Sequence, residues 1–80
     1  MLDFLEVKRG VSRFIKFNKS FDMIRIVFRN KEGNIQGIIE TSADFSNFYR
    51  KNGQMRSGFS NVLYDYCLNK NVKSFDIKGI

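Results

Sequence analysis

Residues 23–41 read MIRIVFRNKEGNIQGIIET, and this stretch decides how the rest of the chain can fold. Within Met23–Arg29, one set of alternate residues is entirely apolar and the other carries two arginines, which is the two-residue period of a half-buried β-strand. Asn30–Asn34 is a cluster of turn-forming residues, and alternation resumes over Ile35–Thr41. Two strand-like runs joined by a glycine-containing loop predict a β-hairpin.

Upstream of the hairpin the pattern is weaker. Side chains alternate loosely over Ser12–Phe17, and residues 18–20 suit a turn, so we predict a third strand of a β-meander here. Residues 2–9 leave two interpretations open. Their apolar residues suit a short strand, whereas Leu2 and Leu5 have helical spacing.

Downstream of the hairpin the period changes. Thr41–Asp44 combines hydroxyl and acidic residues in the manner of a helix start, and the apolar spacing after it predicts a helix that ends near Gly53. A second amphipathic helix is predicted to begin at Ser57 or Ser60. Alternation returns over Val72–Ile80 and predicts a closing strand.

Together these segments predict an α+β domain. Its expected architecture is an antiparallel β-meander of three to four strands, then one or two helices packed on one face, then a C-terminal strand. No linker or repeat divides the chain, so residues 1–80 are expected to form one small basic domain. A domain of this size buries a modest share of its surface, so a partner or a second copy would stabilise it.

The net charge is the strongest indication of a partner. Lys and Arg number 14, Asp and Glu number 8, and His is absent, which gives a formal net charge of +6. Each half of the chain contributes +3, so the charge belongs to the ordered domain rather than to a basic tail. Such an excess favours nucleic acid, whose phosphates release counterions when Lys or Arg binds them.

The composition also predicts a cytoplasmic, intracellular protein. The apolar runs are too short to span a bilayer. Near the N-terminus, Asp3 and Glu6 stand where a secretory signal would need a basic segment and an apolar one.

Catalytic chemistry has little support in the sequence. Without His, the chain lacks the commonest general base and the commonest metal ligand. The single cysteine, Cys67, lies on the apolar stripe of the second predicted helix, where a buried structural thiol is expected. The acidic residues show no close pairing suited to acid–base catalysis or to a hard cation. We therefore expect a protein that binds rather than catalyses, with no metal site and no cofactor.

The predicted contact surface combines the sheet with one loop. If the apolar residues of Met23–Arg29 face the helices, then Arg25 and Arg29 face outward, beside bases of the adjacent predicted strand and turns. Such a face is a common platform for single-stranded nucleic acid. The loop over residues 50–60, with three bases before a helix start, would add phosphate contacts. The residues predicted to bind nucleic acid are Arg13, Lys16, Arg25, Arg29, Lys31, Arg50, Lys51 and Arg56.

A second hypothesis comes from a different class of protein. Residues with A/T-rich codons are frequent, Ala occurs once and Pro is absent, as in many bacteriophages, mobile elements and low-GC bacteria. A protein of that origin would bind a host protein and inhibit or redirect it through surface aromatic residues rimmed by Arg. A homodimer is the remaining candidate assembly. The aromatic residues predicted at the surface are Phe21, Phe45, Tyr49 and Tyr64.

Overall fold

A computed structural model describes residues 2–17 and 20–80, apart from the side chain of Phe45. Within these residues the chain forms two α-helices, a short 3-10 helix and an antiparallel sheet of three strands, so the predicted α+β class is confirmed. In chain order the elements are α1 (Phe4–Phe17), β1 (Met23–Arg29), β2 (Ile35–Ser42), the 3-10 helix (Phe45–Asn47), α2 (Ser57–Leu68) and β3 (Ser74–Gly79).

The predicted hairpin is confirmed and forms two strands of the sheet. β1 has the predicted bounds, and β2 extends one residue further, to Ser42. Asn30 closes the turn between them, since its side-chain oxygen accepts a hydrogen bond from the Asn34 N–H at 2.8 Å. Gly33 in this turn has a φ of 86°, a conformation that glycine adopts without steric cost.

The predicted C-terminal strand is also confirmed, and it pairs with β1, which gives the strand order β2-β1-β3. β1 is therefore the central strand. Ile24, Ile26 and Phe28 share one of its faces and are completely buried. We call this the inner face of the sheet, and we call the opposite face, which bears Arg25 and Arg29, the open face.

The prediction of a strand at Ser12–Phe17 is wrong, because this segment is the second half of α1. The buried residues of α1 are Val7, Val11 and Ile15. These residues are four apart, which is close to the helical repeat. The segment Ser12–Phe17 has six residues and is too short to reveal that repeat. One helix therefore precedes the sheet in the chain, in place of a meander strand.

Of the two interpretations of residues 2–9, the structure confirms the helix, because α1 begins at Phe4. The Asp3 carboxylate accepts a hydrogen bond from the Leu5 N–H at 2.9 Å, which is the bond that an N-cap residue makes. The turn predicted after Phe17 begins with Asn18 and Lys19, which lie outside the described residues.

The prediction of a helix after Thr41–Asp44 is wrong as well. β2 continues to Ser42, and only Phe45–Asn47 adopts a helical turn, of the 3-10 type. The chain then doubles back, so that Tyr49 and Met55 form an antiparallel bridge. A small turn therefore occupies the place of the first predicted helix.

Gly53, predicted to cap that helix, lies instead in the turn between the bridge residues. It has a φ of 88°, and the Arg50 N–H donates to the Gln54 carbonyl at 2.8 Å across the turn. Asp44 caps the short 3-10 helix, because its carboxylate accepts a hydrogen bond from the Ser46 N–H at 3.0 Å. The same bond lowers the pKa of Asp44.

The helix predicted to begin at Ser57 or Ser60 is confirmed, and α2 begins at the first of these. Its Tyr66 ring stacks on the Phe28 ring, with centroids 4.2 Å apart and planes 10° from parallel. Tyr66 also lies over Gly37, the residue directly opposite Phe28 in the register of β1 and β2. α2 is thus attached to the inner face of the hairpin.

α1 packs beside α2 and over β3. Its Gly10 lies against the Phe75 ring of β3, which shares the inner face because Phe75 pairs with Phe28. Both helices therefore cover the inner face, as predicted for an α+β domain. Neither helix of the described chain has the length and apolar character needed to cross a bilayer.

Gly37→Ala tests the packing of α2 on the hairpin. A Cβ at this position would overlap the Tyr66 ring, so the ring must move off Phe28. We expect the free energy of unfolding, measured by chemical denaturation, to fall by about 1–3 kcal/mol, the usual cost of overpacking.

Gly58→Ala is the matched control for this substitution. A Cβ at position 58 meets nothing within 4 Å, and Ala favours a helix over Gly by up to about 1 kcal/mol. Its free energy of unfolding should therefore be unchanged or higher. Equal destabilisation of the two variants would contradict the packing described here.

Candidate nucleic-acid interface

The solvent-facing side of α1 carries a row of basic residues. The helix turns its apolar stripe towards the core, so the bases that recur on its other side face outward. Over this length the helix rises about 1.5 Å per residue, and the row spans about 12 Å. We call it the basic helix face, and its members are Lys8, Arg9, Arg13 and Lys16.

No carboxylate of the described chain lies within ion-pair distance of the basic helix face, since the ion pairs found there join strands of the sheet. Arg9, Arg13 and Lys16 are exposed. Lys8 is half-buried, with its Nζ 5.1 Å from the centroid of the Phe4 ring, a cation–π contact that leaves its charge in place. The face therefore presents to solvent positive charges that form no ion pair, although the exposed Glu6 stands one turn before Arg9 on the same helix.

Apolar side chains accompany these bases. A shallow groove along α1 is lined by the basic helix face together with Leu5, Ser12 and Phe17. Phe17, at the C-terminal end of the groove, is 79% exposed. A ring in this position is available to stack on an unpaired nucleobase.

Tyr49 connects α1 with the turn that follows it in the chain. Tyr49 is buried, and its hydroxyl contacts the hydroxyl of Ser12 on α1. A cleft lined by Lys8, Ser12 and the far side of the turn joins the same two segments. Arg50 and Lys51, which follow Tyr49, are exposed. These two predicted site residues are therefore available to solvent, but neither of them lines the cleft or the groove along α1.

Arg56 has a structural place in the loop before α2. Its Nε donates to the Ser46 carbonyl at 2.6 Å, and its backbone N–H donates to the Phe48 carbonyl at 2.7 Å. These bonds tie the 3-10 helix to the start of α2. The structure therefore engages Arg56 with the protein's own backbone rather than presenting it beside the other bases.

The sheet does not carry the whole surface that the sequence predicts. Arg13 and Lys16 were expected on a strand beside β1, but they lie on α1, because that segment is helical. Arg25 and Arg29 do lie on the open face, as expected from their alternation. The predicted surface is thereby divided between two elements.

On the open face, acids from both neighbouring strands compensate the two arginines. The Arg25 guanidinium lies 3.2 Å from the Glu40 carboxylate of β2, and that of Arg29 lies 3.9 Å from the Asp76 carboxylate of β3. In the described strands the phenylalanines are on the inner face. The two arginines of the open face are therefore not free charges, and this face lacks the rings of a platform for single strands.

Lys31 is exposed in the turn between β1 and β2. It belongs neither to the basic helix face nor to the turn that carries Arg50 and Lys51. The structure thus brings together two of the predicted site residues, Arg13 and Lys16, and the others lie on the sheet or in loops.

The aromatic residues predicted at the surface have mixed outcomes. Tyr64 is exposed and Phe21 is half-buried. The prediction for Tyr49 is wrong, since that ring is buried, and the Phe45 side chain lies outside the described residues. Phe17 is exposed, although it is not among these predicted surface aromatics; the sequence placed it on a strand, on the same face as Arg13.

Lys8 and Arg9 are the residues of the basic helix face that sequence reasoning missed. The signal for them was present in the chain. On a helix that begins at Asp3, they fall on the same side as Arg13 and Lys16. They could have been found by testing the helical period over residues 4–17 as one window.

Cys67 is buried in the core. Burial raises the pKa of its thiol, and the negative charge of Asp3 raises it further. A thiol of this kind stays protonated near neutral pH and is a poor nucleophile. Within the described part of the chain, no three Cys, Asp or Glu side chains are grouped closely enough to hold a metal ion.

No protein-family model, no curated protein and no solved structure matches this chain. Its function must therefore be inferred from surface geometry and charge.

Cys67 is expected to be unreactive in the folded protein. Because the thiol is buried and its pKa is raised, a colorimetric thiol reagent at mildly alkaline pH should modify it at least about tenfold more slowly than in denaturant. The rate in the folded protein should rise with pH only above the range where a free cysteine ionises. Equal rates in folded and denatured protein would contradict this placement of the thiol.

Proposed function

We propose that this chain is a small basic protein that binds nucleic acid without catalysing a reaction, and that it does so through the basic helix face. The supporting observation is that the bases on one side of α1 have no acidic partner within ion-pair distance among the described residues. A row of free Lys and Arg side chains fits the phosphates of a nucleic-acid backbone, and the resulting release of counterions favours binding.

The shape of the surface supports contact with a backbone rather than with a small enclosed ligand. The basic helix face is a shallow, extended row about 12 Å long, long enough for several phosphates of one strand. Arg50 and Lys51, which are exposed in their turn, would add phosphate contacts. Contacts from Lys and Arg to phosphates carry no sequence information, so we expect binding that depends little on base sequence.

Phe17 favours single-stranded over double-stranded nucleic acid. Its exposed ring lies in the same groove as the bases, and unpaired nucleobases stack on such rings whatever their identity. A duplex offers no free base faces along its length. We also propose that the protein acts in the cytoplasm, and in the cytoplasm of the host cell if a phage or mobile element encodes it.

Removal of two bases from the helix face tests this function. In an Arg9→Gln, Arg13→Gln double variant, we expect affinity for a labelled single-stranded oligonucleotide to fall at least about tenfold at low salt. The slope of log affinity against log salt concentration should decrease by about 1.4, because each phosphate of a single strand that the protein neutralises contributes roughly 0.7. Fluorescence anisotropy over a salt series measures both quantities.

The matched control removes the same charge from the open face, as Arg25→Gln with Arg29→Gln. Because Glu40 and Asp76 already compensate these arginines, we expect the salt slope to stay at the wild-type value. Circular dichroism establishes that both variants fold. Wild-type protein that fails to bind even at low salt would refute the function, and an equally weakened control would refute the assigned surface.

A protein that binds and inhibits or redirects a host protein is the second candidate. The open face supports it, because Met23, Ile35 and Ile38 expose apolar side chains there. The net charge of +6 would favour an acidic partner. If this function is correct, a pull-down from nuclease-treated host lysate should recover one stoichiometric protein partner with the wild-type chain. The Ile38→Gln variant should no longer recover that partner. Recovery of nothing after nuclease treatment would count against it.

A further inference from the structure

The outer edge of β3 has no strand neighbour in the described chain, because the strand order is β2-β1-β3. The Ile80 N–H donates to the Met23 carbonyl of β1 at 2.9 Å. Since the direction of hydrogen bonding alternates along a strand, Phe75, Ile77 and Gly79 direct their backbone N–H and C=O groups to the outer edge. An unpaired edge of this kind is a template for another strand.

We propose that this edge binds a second copy of the chain, by antiparallel pairing of β3 with β3 of that copy. The charge pattern of the strand indicates this occupant. Asp76 and Lys78 stand on either side of Ile77. When two copies pair with Ile77 at the centre, Asp76 lies opposite Lys78 of the second copy, and the two-fold symmetry repeats the pair.

The register centred on Ile77 is the one that matches both charge and length. A pair centred on Asp76 would place the two Asp76 side chains opposite each other, and a pair centred on Lys78 would do the same with the two Lys78 side chains. Like charges in this relation are destabilising. The Ile77 centre also engages the whole of residues 74–80. In that register each Asp76–Lys78 pair is a non-hydrogen-bonded pair of the antiparallel ladder. Side chains in such pairs lie closer together than those in hydrogen-bonded pairs.

The outer edge of β2 lacks this complementarity. Its sequence, IQGIIETS, has one charged residue, Glu40. Two copies of β2 therefore have no opposite charges to place across an antiparallel pair.

Lys78 is poorly compensated within a single chain. It lies directly opposite Arg25 in the register of β1 and β3, and like charges in this relation destabilise a sheet. No carboxylate of the described residues lies within ion-pair distance of Lys78. Asp76 of the second copy would supply the missing negative charge.

The inner face would gain an apolar contact from the same pairing. Ile77 is half-buried, and it lines a cleft with Gly10, Arg13, Phe14 and Phe17 of α1. At the centre of the pair, Ile77 would meet Ile77 of the second copy beside this cleft. Apolar surface that is exposed in one chain would thus be removed from water, which favours association.

The two-fold axis of such a pair is perpendicular to the sheet, so the inner faces of both copies lie on one side. The result is a six-stranded sheet with two copies of α1 above it. Two basic helix faces would then lie on one side of one assembly. Once a single strand is bound to one face, its effective concentration at the other face is raised, so the dimer would bind the strand more tightly than one chain does.

Sedimentation equilibrium of the full chain, without nucleic acid, tests the proposal. The wild-type protein should sediment with twice the 9.4 kDa mass of the chain. Asp76→Lys and Lys78→Asp each place like charges across both pairs, and each should raise the dimer dissociation constant at least about tenfold. The double variant with both substitutions restores opposite charges with reversed polarity, so its dissociation constant should return to within about threefold of wild type.

Both positions are exposed, and circular dichroism establishes that the variants fold. A wild-type chain that stays monomeric at all concentrations would overturn the proposal. A dimer that both single variants leave intact would also overturn it, because the interface would then lie elsewhere. A folded double variant that remains monomeric would do the same.

Discussion

The stacking of Tyr66 on Phe28 is the interaction on which the arrangement of the other elements depends. The register of the hairpin places Gly37 opposite Phe28, and the missing side chain leaves space for the Tyr66 ring, 4.2 Å from that of Phe28. This contact holds α2 on the inner face of the hairpin. α1 then packs between α2 and β3, so the orientation of α1 follows from the seating of α2.

This arrangement decides which positive charges are free to bind a partner. α1 turns Val7, Val11 and Ile15 to the core, so its bases face solvent on the opposite side. On the sheet, antiparallel pairing brings acids of β2 and β3 beside the arginines of β1. The arginines of β1 are therefore paired with acids, whereas the bases of α1 form no ion pair, so the helix is the better candidate for binding phosphates.

The parts of the fold that could be predicted are those whose signals are local. The hairpin, α2 and β3 each have a regular period of side chains and clear turn residues, and the structure confirms them. α1 was hidden because its helical period emerges only over the whole of residues 4–17. Tyr49 has helical spacing to its neighbours, but its burial comes from a contact with Ser12, 37 residues away, which no local pattern reveals. The outward direction of Arg25 followed from alternation, whereas its compensation by Glu40 depends on the register of two strands.

In our proposal, nucleic acid contacts the basic helix face and not the sheet. Mapping of backbone amide chemical shifts in ¹H–¹⁵N spectra tests this contact residue by residue. On titration with a short single-stranded oligonucleotide at low salt, the largest shifts should fall on residues 8–17 and on Arg50 and Lys51. The amides of β1 should change little. Shifts concentrated on Met23–Arg29, or an unchanged spectrum at saturating oligonucleotide, would contradict the account.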